Sequence, residues 1–328
     1  MGDSPAAFVT GGSGFIGQVL LRRLAAEGRP ARALARSDSS AAVVEAAGAQ
    51  AVRGDLDDVD AMREGARGCD VAFHLAAHVG DGRRWEEFER PTVVGTRNAA
   101  RAAREAGVRR FVHTSTEAAI MKGQPLVGAD ESWPLQTDSP AFYPRSKARA
   151  ELEALAAASD GMETVIVRPR FVWGPDDTTL LPAIEEMVAS GRFAWIGGGR
   201  HMTSTAHVDN VVQGLLLAAE RGRSGEAYFV TDGAPVEFRS FLTKLLATRG
   251  VEPGDRSMPV ALVRPLAAVV ETAWRVLPLR GEAPLTRFAI WNSTLECTID
   301  DSKARRELGY EPVISIEDGI AALTTDDR

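Results

Sequence analysis

The segment from Ala6 to Gly17 reads A-A-F-V-T-G-G-S-G-F-I-G, and it decides the fold class. Its first five residues form a short apolar run that is typical of a strand, and apolar residues from Phe15 onward recur on one helical face. This strand–loop–helix context predicts a dinucleotide site, because glycines allow a tight turn and close approach of the backbone to a pyrophosphate. The alternative is a merely structural turn. The predicted contacts are Gly11, Gly12, Ser13, Gly14, Phe15, Ile16 and Gly17.

Short apolar runs alternate with helical patterns through the first half of the chain. Strands joined by helices pair in parallel through right-handed crossovers, so we expect an α/β fold with a doubly wound, Rossmann-type sheet. We expect the dinucleotide-binding domain at 1–170, with further sheet contributions from around 203–235, and mainly a smaller substrate-binding lobe at 171–328. The predicted strands after the first are 31–35, 49–53, 71–75, 111–115 and 164–168, and the predicted later helices are 59–67, 85–106, 180–190, 209–220 and 237–249.

The composition is that of an ordinary globular protein. The 328 residues are 45% hydrophobic and 25% charged, and the net charge of -7 argues against nucleic acid as a partner. Two cysteines, Cys69 and Cys297, lack C-x-x-C spacing, so neither a disulfide framework nor a zinc site is expected. The N-terminal residues lack the basic head and apolar run of a signal peptide, which with the cysteine count predicts a cytoplasmic location.

Residues 258–274 form the most apolar late stretch of the chain. Arg264, Pro265 and Glu271 interrupt it, so we expect a lid or an amphipathic surface helix and no transmembrane segment. Peripheral contact with a membrane surface stays open.

The end of the second strand predicts which dinucleotide binds. An acidic residue there is typical of NAD sites, but the segment reads A33-L-A-R-S37. Arg36 is able to clamp a 2′-phosphate, so NADP(H) is expected, while NAD(H) stays open. The alternatives to a phosphate clamp are that Arg36 is a solvated charge or that it stacks on adenine. Asp55, after the third strand, is expected either to accept the adenine amino group, with Leu56 packing the ring, or to cap the helix that begins near Val59.

Small residues where the fourth strand ends, in H74-L-A-A77, leave room for the same cofactor. Leu75, Ala76 and Ala77 are therefore predicted contacts. His74 and His78 are four residues apart, but no third ligand is nearby, so no metal site is predicted.

Tyr143 and Lys147 lie one helical turn apart in F142-Y-P-R-S-K-A-R-A150 and therefore share a face. An ammonium near a phenol lowers its pKa from about 10 toward neutrality, which suits proton transfer to or from a carbinol oxygen. Ser115 and Thr116 end the fifth strand at the same sheet edge, where a hydroxyl is able to hold that oxygen. Beside a nicotinamide, this set predicts hydride transfer between a carbonyl and an alcohol.

These ordered motifs resemble the extended short-chain dehydrogenase/reductase superfamily, of the NAD-dependent epimerase/dehydratase type, over nearly the whole chain. The similarity is greatest to its 3β-hydroxysteroid dehydrogenase and sterol-decarboxylase branch, which shares Y-P-x-S-K. The matching motifs are T-G-G-S-G-F-I-G, G-D-L, H-L-A-A, V93-V-G-T-R-N98, Y-P-R-S-K, the run R-P-R-F-V-W-G-P from Arg168 to Pro175, H207-V-D-N210, and the run D-D-S-K-A-R-R-E-L-G-Y-E-P from Asp300 to Pro312.

The resemblance implies a role for each matching residue. Tyr143 would be the general acid/base, and Lys147 would bind the nicotinamide ribose and tune Tyr143. Thr116 stands where the family usually has a serine, and whether it or the adjacent Ser115 acts stays open. Thr92 replaces the family's usual asparagine before V-V-G-T, which affects only a structural detail. The other cofactor contacts that it implies are Thr114, Pro169, Phe171 and Val172.

Bulky apolar residues of the second lobe favour a steroid-like or other lipophilic alcohol or ketone as the small-molecule substrate. Glu117 is either a substrate contact or a solvated loop charge. His207 either contacts substrate or starts the helix at Asp209. The full set of candidate substrate contacts is Glu117, Trp173, Trp195 and His207.

Two other functions stay open. A nucleotide-sugar epimerase with tightly bound NAD would need arginines facing its phosphates, and Arg170, Arg192 and Arg200 are available. Sugar-nucleotide dehydratase chemistry is disfavoured, because T116-E-A118 lacks a second carboxylate. A non-catalytic NADP-binding regulator is the other alternative, although such members generally lack the tyrosine and the lysine. The resemblance also implies a homodimer, formed through helices such as 85–106 and 143–158.

Overall fold

A computed structural model provides the structure and describes residues 6–80, 82–159, 161–178, 180–277, 283 and 285–326. The strands in this part of the chain are β1 (Ala7–Thr10), β2 (Ala31–Ala35), β3 (Gln50–Arg53), β4 (Val71–His74), β5 (Arg110–Thr114), β6 (Leu126–Ala129), β7 (Glu163–Pro169), β8 (Val172–Trp173), β9 (Trp195–Ile196), β10 (Met202–Thr203), β11 (Ala206–His207), β12 (Ala227–Val230), β13 (Val236–Glu237), β14 (Ser257–Met258) and β15 (Cys297–Ile299).

The helices in the same part are α1 (Phe15–Ala26), α2 (Asp38–Ala46), α3 (Val59–Ala66), α4 (Glu86–Phe88), α5 (Gly95–Glu105), α6 (Phe142–Ala156), α7 (Leu180–Ala189), α8 (Val208–Arg221), α9 (Phe238–Ala247), α10 (Val260–Val276), α11 (Arg287–Thr294), α12 (Ser302–Leu308) and α13 (Ile316–Asp326). A π-helical segment, Glu89–Val94, separates α4 from α5, and 3₁₀ turns lie at Glu117–Ile120 and Gly197–Gly199.

Seven of the described strands form one parallel sheet in the order β12-β7-β5-β4-β1-β2-β3. Its central strands are buried on both faces, as a sheet covered by helices requires. Neighbouring strands pair in register, so that Val9 of β1 lies opposite Ala33 of β2 and Phe73 of β4. The predicted α/β fold with a doubly wound, Rossmann-type sheet is confirmed.

The strand order reverses beside β1, which has β2 on one side and β4 on the other. Crossovers that leave a sheet in opposite directions open a crevice at the carboxyl ends of the strands. Thr10, His74 and Thr114 end the neighbouring strands β1, β4 and β5 at that crevice. The glycine loop, which follows β1, therefore lies at the position where this fold binds its ligands.

Helices cover the two faces of the sheet with separate apolar cores. Helices α1 and α8 pack on one face through side chains that include Leu20 and Leu215. Helices α3, α5 and α6 contribute to the other core, which contains Met62, Ala103 and Ala154. The alanines of α5 and α6 are buried and small, so these two helices pack closely beside the crevice.

Two local differences from the sequence prediction have a physical reason in the first half of the chain. Helix α2 was not predicted, although Ser37 and Ser40 form a capping box at its start, with each backbone N–H donating to the other side chain at 3.0–3.1 Å. The 85–106 stretch is interrupted by the π-helical segment, which contains Pro91. Proline lacks the amide donor and crowds the preceding turn, so a regular α-helix does not continue through it.

The described structure beyond the seven-stranded sheet and the helices that cover it is built mostly from short strands and from α7, α9, α10, α11 and α13. Its largest sheet has the order β13-β10-β15-β6. Stretch 258–274 lies mostly in α10, which buries Val263 and Ala267 and exposes Leu262, Leu266 and Val269. None of the helices in the described ranges is long and apolar enough to cross a membrane.

Candidate active site

The glycine loop forms a close-fitting cradle between β1 and α1. Gly11 has a φ of 74°, and a Cβ there would lie 2.6 Å from the backbone nitrogen of Ala76. A Cβ on Gly17 would collide with the carbonyl oxygen of Gly11. Within the described residues no side chain caps α1 at Gly14, so the first N–H groups of the helix remain available to phosphate oxygens. This geometry fits the pyrophosphate of a dinucleotide. The same turn and first helical residues also include Gly12, Ser13, Phe15 and Ile16.

Arg36 directly follows β2 and is exposed to solvent. Its guanidinium makes neither an ion pair nor a side-chain hydrogen bond within the described part of the chain. The neighbouring Ser37 is committed to capping α2. An exposed cation without a protein partner at this strand end is able to bind a phosphate group.

Asp55 is exposed after β3, and its carboxylate accepts the backbone N–H of Asp57 at 2.9 Å. The cap of α3 is a different residue, Asp58, whose Oδ1 accepts the N–H of Ala61 at 2.9 Å. The alternative in which Asp55 caps this helix is therefore wrong, because a cap must immediately precede the first helical turn. Leu56 is half-buried beside it.

His74 closes the fourth strand as a buried neutral imidazole. Its Nδ1 lies 2.6 Å from Thr10 Oγ1 and its Nε2 lies 2.9 Å from Thr96 Oγ1. Burial, together with the nearby charge of Lys147, lowers the pKa of His74 to about 3. No group of three His, Cys, Asp or Glu side chains in the described residues is arranged to hold a metal ion. The partly buried residues that follow His74 are Leu75, Ala76 and Ala77.

Helix α6 places Tyr143 in its first turn and Lys147 one turn later. Pro144 is tolerated between them because a proline in the first turn removes an amide that has no helical acceptor there. Lys147 is buried, and its Nζ donates to the Thr114 carbonyl oxygen at 2.8 Å. Burial lowers the pKa of Lys147 to about 8, while the charge of Glu151 acts in the opposite direction. Lys147 is therefore mostly an ammonium at neutral pH.

The phenol of Tyr143 departs from the sequence prediction. Although part of the residue is exposed, desolvation of the phenol raises its pKa above the usual value, and the carboxylate of Glu117 raises it further. Hydrogen bonding with Thr116 lowers the pKa by less. With the protein groups alone, Lys147 does not bring the pKa of Tyr143 toward neutrality, and that prediction is wrong. Desolvation of the phenol dominates, and Lys147 donates to Thr114 instead.

The two candidate hydroxyls have different partners. Ser115 donates to the buried carboxylate of Glu151. The Thr116 hydroxyl lies 2.5 Å from Oε2 of Glu117 and close enough to Tyr143 to affect its pKa. The structure therefore brings Thr116, and not Ser115, together with the phenol.

Glu117 is buried in an ion pair, so the alternative of a solvated loop charge is wrong. Its Oε1 accepts from Nη1 of Arg170 at 2.7 Å, and the two side chains expose only 3% and 2% of their surface. Arg170 also donates to Oδ1 of Asn292 at 3.0 Å. Arg170 is therefore not free to face a nucleotide phosphate, and Arg192 pairs with Glu186 at 3.0 Å on the surface.

The three other candidate substrate residues are buried outside the seven-stranded sheet. Trp173 is fully buried, and its Nε1 donates to Oδ2 of Asp232 at 2.7 Å. The ring of His207 packs edge-on against Trp173 at 4.7 Å, and its Nδ1 accepts the N–H of Asp209 at the start of α8. Trp195 belongs to the same buried cluster as Trp173. All three side chains thus have structural contacts.

The chain passes from β7 into β8 through a backbone conformation that is rare for a large side chain. Phe171 has a φ of 44°, between the end of β7 at Pro169 and the half-buried Val172. Its ring packs edge-on against Phe238 and Phe241 at 5.9 and 5.8 Å. Such strained residues occur preferentially at ligand sites, where the surrounding packing holds them.

Two residues beside these groups, Glu151 and Phe288, were not singled out in the sequence. Glu151 is fully buried and bonds to Arg168, and the Phe288 ring lies 5.1 Å from the ring of Tyr143. Glu151 had a usable signal, because it follows Lys147 by four residues on the same helical face. Phe288 had none, because only the tertiary fold brings α11 against α6.

Comparison with known proteins agrees with this geometry. Residues 8–260 match the sequence profile of the 3-beta hydroxysteroid dehydrogenase/isomerase family. The 4-hydroxy-2-methyl-3-oxo-4-farnesyl-3,4-dihydroquinoline-1-oxide ketoreductase of Stigmatella aurantiaca is 48% identical over 316 residues, which cover 96% of this chain and 95% of that protein. The 3 beta-hydroxysteroid dehydrogenase/Delta 5-->4-isomerase of Mycobacterium tuberculosis is 30% identical, with coverage of 95% and 87%. The solved structure of the dTDP-glucose 4,6-dehydratase DesIV from Streptomyces venezuelae, with NAD bound, has a TM-score of 0.75 at 26% identity and covers 98% of this chain and 96% of that chain.

The fold and the matched relatives define an oxidoreductase of the extended short-chain dehydrogenase/reductase superfamily, a class of enzymes that uses a nicotinamide cofactor. Within that class, the chain belongs to the 3-beta hydroxysteroid dehydrogenase/isomerase family.

Proposed function

We propose that this enzyme interconverts a carbonyl and a secondary alcohol on a lipophilic substrate, with NADP(H) as its cofactor. The observation that carries the proposal is the convergence of Tyr143, Lys147 and Thr116 at the sheet edge that also carries the glycine cradle. The names of the matched relatives, a farnesyl-quinoline ketoreductase and a hydroxysteroid dehydrogenase, support a lipophilic substrate. Phe288 beside Tyr143 supports an apolar environment, and the commitment of Arg170 to Glu117 disfavours a nucleotide diphosphate.

Each protein group has a distinct task in carbonyl reduction. NADPH, when bound, would supply a hydride to the carbonyl carbon. Tyr143 donates its proton to the carbonyl oxygen, and its raised pKa keeps that proton in place at neutral pH. Thr116 lies beside the phenol and is the hydroxyl that we assign to the same oxygen, which requires its proton to turn from Glu117 to the substrate. Lys147, as an ammonium, binds the ribose hydroxyls of the cofactor.

The cofactor contacts proposed here follow the sheet edge. The glycine cradle holds the pyrophosphate, and Arg36 clamps the 2′-phosphate. Asp55 and Leu56 contact the adenine. The contacts proposed for the remaining parts of the cofactor are Leu75, Ala76, Ala77, Thr114, Pro169, Phe171 and Val172.

The cofactor choice is tested by titrating the protein with NADPH and NADH. We expect the wild type to bind NADPH at least about tenfold more tightly, since a charge-assisted phosphate contact contributes on the order of 1.5 kcal/mol or more. Arg36→Ala should lose this preference, whereas the control Arg101→Ala, a surface arginine on α5, should keep it. Equal affinities in the wild type would refute the phosphate clamp.

The chemistry is tested with a panel of lipophilic carbonyl compounds and NADPH, followed at the nicotinamide absorbance. Tyr143→Phe should lower kcat/KM by a factor of about 10²–10⁴, while Tyr228→Phe, at the edge of the sheet, should change it little. Thr116→Val should be far more damaging than Ser115→Ala. Tight cofactor binding without any absorbance change on the whole panel would instead favour the regulator or the epimerase.

We also propose a homodimer formed through α5 and α6, in the cytoplasm. On α6, Leu152 exposes 48% of its surface, and the adjacent Glu153 bonds to Arg97 of α5 at 2.7 Å. Sedimentation of the wild type and of Leu152→Asp tests the dimer, which the substitution should weaken. A monomeric wild type would rule it out.

A further inference from the structure

Helix α6 carries a third buried residue on the face of Tyr143 and Lys147. Glu151 follows Lys147 by one helical turn, just as Lys147 follows Tyr143. The side chain of Glu151 is fully buried, and Lys147 exposes only 3% of its surface. A buried carboxylate is stable only where neighbouring groups compensate its charge, so its partners indicate its role.

Hydrogen bonds from Ser115 and Arg168 fix the carboxylate of Glu151. Oε1 accepts from the Ser115 hydroxyl and from Nε of Arg168 at 2.9 Å, and Oε2 accepts from Nη2 of Arg168 at 2.6 Å. The Arg168 guanidinium also lies over the ring of Phe229, at 5.4 Å from its centroid. Both oxygens therefore have hydrogen bonds from outside α6, and the carboxylate has little freedom to move.

Apart from Glu151, Lys147 faces neutral groups. Its hydrogen bond goes to a backbone carbonyl, that of Thr114. His74 and His113 are buried neighbours, and their pKa values are lowered, so both are uncharged at neutral pH. The Tyr143 phenol is also uncharged. Among the described residues that face Lys147, Glu151 supplies the negative charge.

We propose that Glu151 is a positioning residue for hydride transfer, whose fixed buried carboxylate keeps Lys147 in its ammonium form. The Arg168 guanidinium and the Ser115 hydroxyl hold that carboxylate in place. This inference rests on the proposed function, because the ammonium of Lys147 matters only if Lys147 serves the reaction at Tyr143.

The consequence is a specific pH dependence of carbonyl reduction. The pKa of Lys147 is about 8, so the ammonium is present below that pH and is lost as the pH rises through it. The kcat/KM for reduction should be level near neutrality and fall above about pH 8. Without the charge of Glu151 the ammonium is less stable, so the fall should begin about one pH unit lower.

The test compares two glutamates of the same helix. Glu151→Gln and the control Glu153→Gln, which removes a partly exposed carboxylate paired with Arg97, are assayed for NADPH-dependent reduction across neutral and alkaline pH. Glu151→Gln should shift the alkaline fall by about one unit to lower pH, and Glu151→Asp, which keeps a carboxylate, should reverse most of that shift. Glu153→Gln should match the wild type. An unshifted profile for Glu151→Gln would overturn the proposal.

A loss of folding has to be separated from this effect, because Glu151→Gln leaves Arg168 as an unpaired buried charge. The double variant Glu151→Gln with Arg168→Gln removes that charge and should show the same alkaline shift with a thermal midpoint closer to that of the wild type. An unshifted profile in the folded double variant also contradicts the proposal. Lys147→Met separates the two hypotheses: if it retains wild-type activity, the proposed function fails, whereas if it is inactive and Glu151→Gln keeps the wild-type profile, only the role of Glu151 fails.

Discussion

Two buried ion pairs lie beside the candidate catalytic residues, and their arginines, Arg168 and Arg170, are separated in the chain by a single proline. Glu151 and Arg168 lie near Lys147, whereas Glu117 and Arg170 lie near Tyr143. Both carboxylates raise the pKa of the group they face. For Lys147 this favours the charged form, and for Tyr143 it disfavours the charged form. The same pair chemistry therefore supports a cation at one end of the helical face and a protonated acid at the other.

The largest expected effect is on stability and tests whether the two pairs are equivalent. Arg168→Gln and Arg170→Gln each leave a buried carboxylate uncompensated, so each should lower the free energy of unfolding by about 3–5 kcal/mol. Denaturant unfolding measures this loss. Replacing both members of a pair, as in Glu117→Gln with Arg170→Gln, should recover most of it. A single substitution that leaves the stability unchanged would show that the pair is not buried in solution.

A smaller expected effect distinguishes the functions of the two ion pairs. Glu117→Gln removes the negative charge beside the phenol, so the pKa of Tyr143 should fall and its phenolate should form at a lower pH. Oxidation of an alcohol needs that phenolate as a base, so its rise with pH should begin about one pH unit lower. The measurement is the pH profile of alcohol oxidation with NADP⁺. Glu117→Gln thus increases oxidation at a given alkaline pH, whereas Glu151→Gln impairs reduction. An oxidation profile identical to that of the wild type would show that Glu117 does not control the pKa of Tyr143.

The smallest expected effect contrasts these buried carboxylates with two on the surface. Asp58→Ala removes the cap of α3 and should lower the free energy of unfolding by about 1 kcal/mol. Asp55→Ala should leave stability nearly unchanged and weaken cofactor binding instead. Thermal unfolding and cofactor titration of both variants distinguish the two roles. A loss of stability in Asp55→Ala but not in Asp58→Ala would instead identify Asp55 as the cap.

Strands and helices of the first domain could be predicted closely from the sequence. Helix α1 begins and ends at Phe15 and Ala26, as its apolar periodicity indicates, and the predicted bounds of the sheet strands differ by only a residue or so from those in the structure. Periodicity is reliable there because each element buries one repeating face. Periodicity alone did not predict α2, although a capping box marks its start in the sequence. It also treated 85–106 as one continuous helix, which Pro91 interrupts.

Site geometry was less predictable, because burial depends on residues far apart in the chain. Glu117 has the appearance of a loop charge in the sequence, yet Arg170, which comes from another segment, pairs with it in the interior. Trp173 and Trp195 were candidate substrate contacts by size alone, and the structure places them in the lobe's interior.

By itself, the sequence determined the parallel α/β sheet, the glycine cradle and the shared helical face of Tyr143 and Lys147, because these depend on local spacing and on the fixed periods of helix and strand. Only the tertiary structure decided the electrostatics of that face. It buried Glu151 and Glu117 near the groups that they influence, bound Ser115 to Glu151, and left Thr116 beside the phenol. Charge interactions depend on distance and on exclusion of water, and neither of these is contained in local spacing.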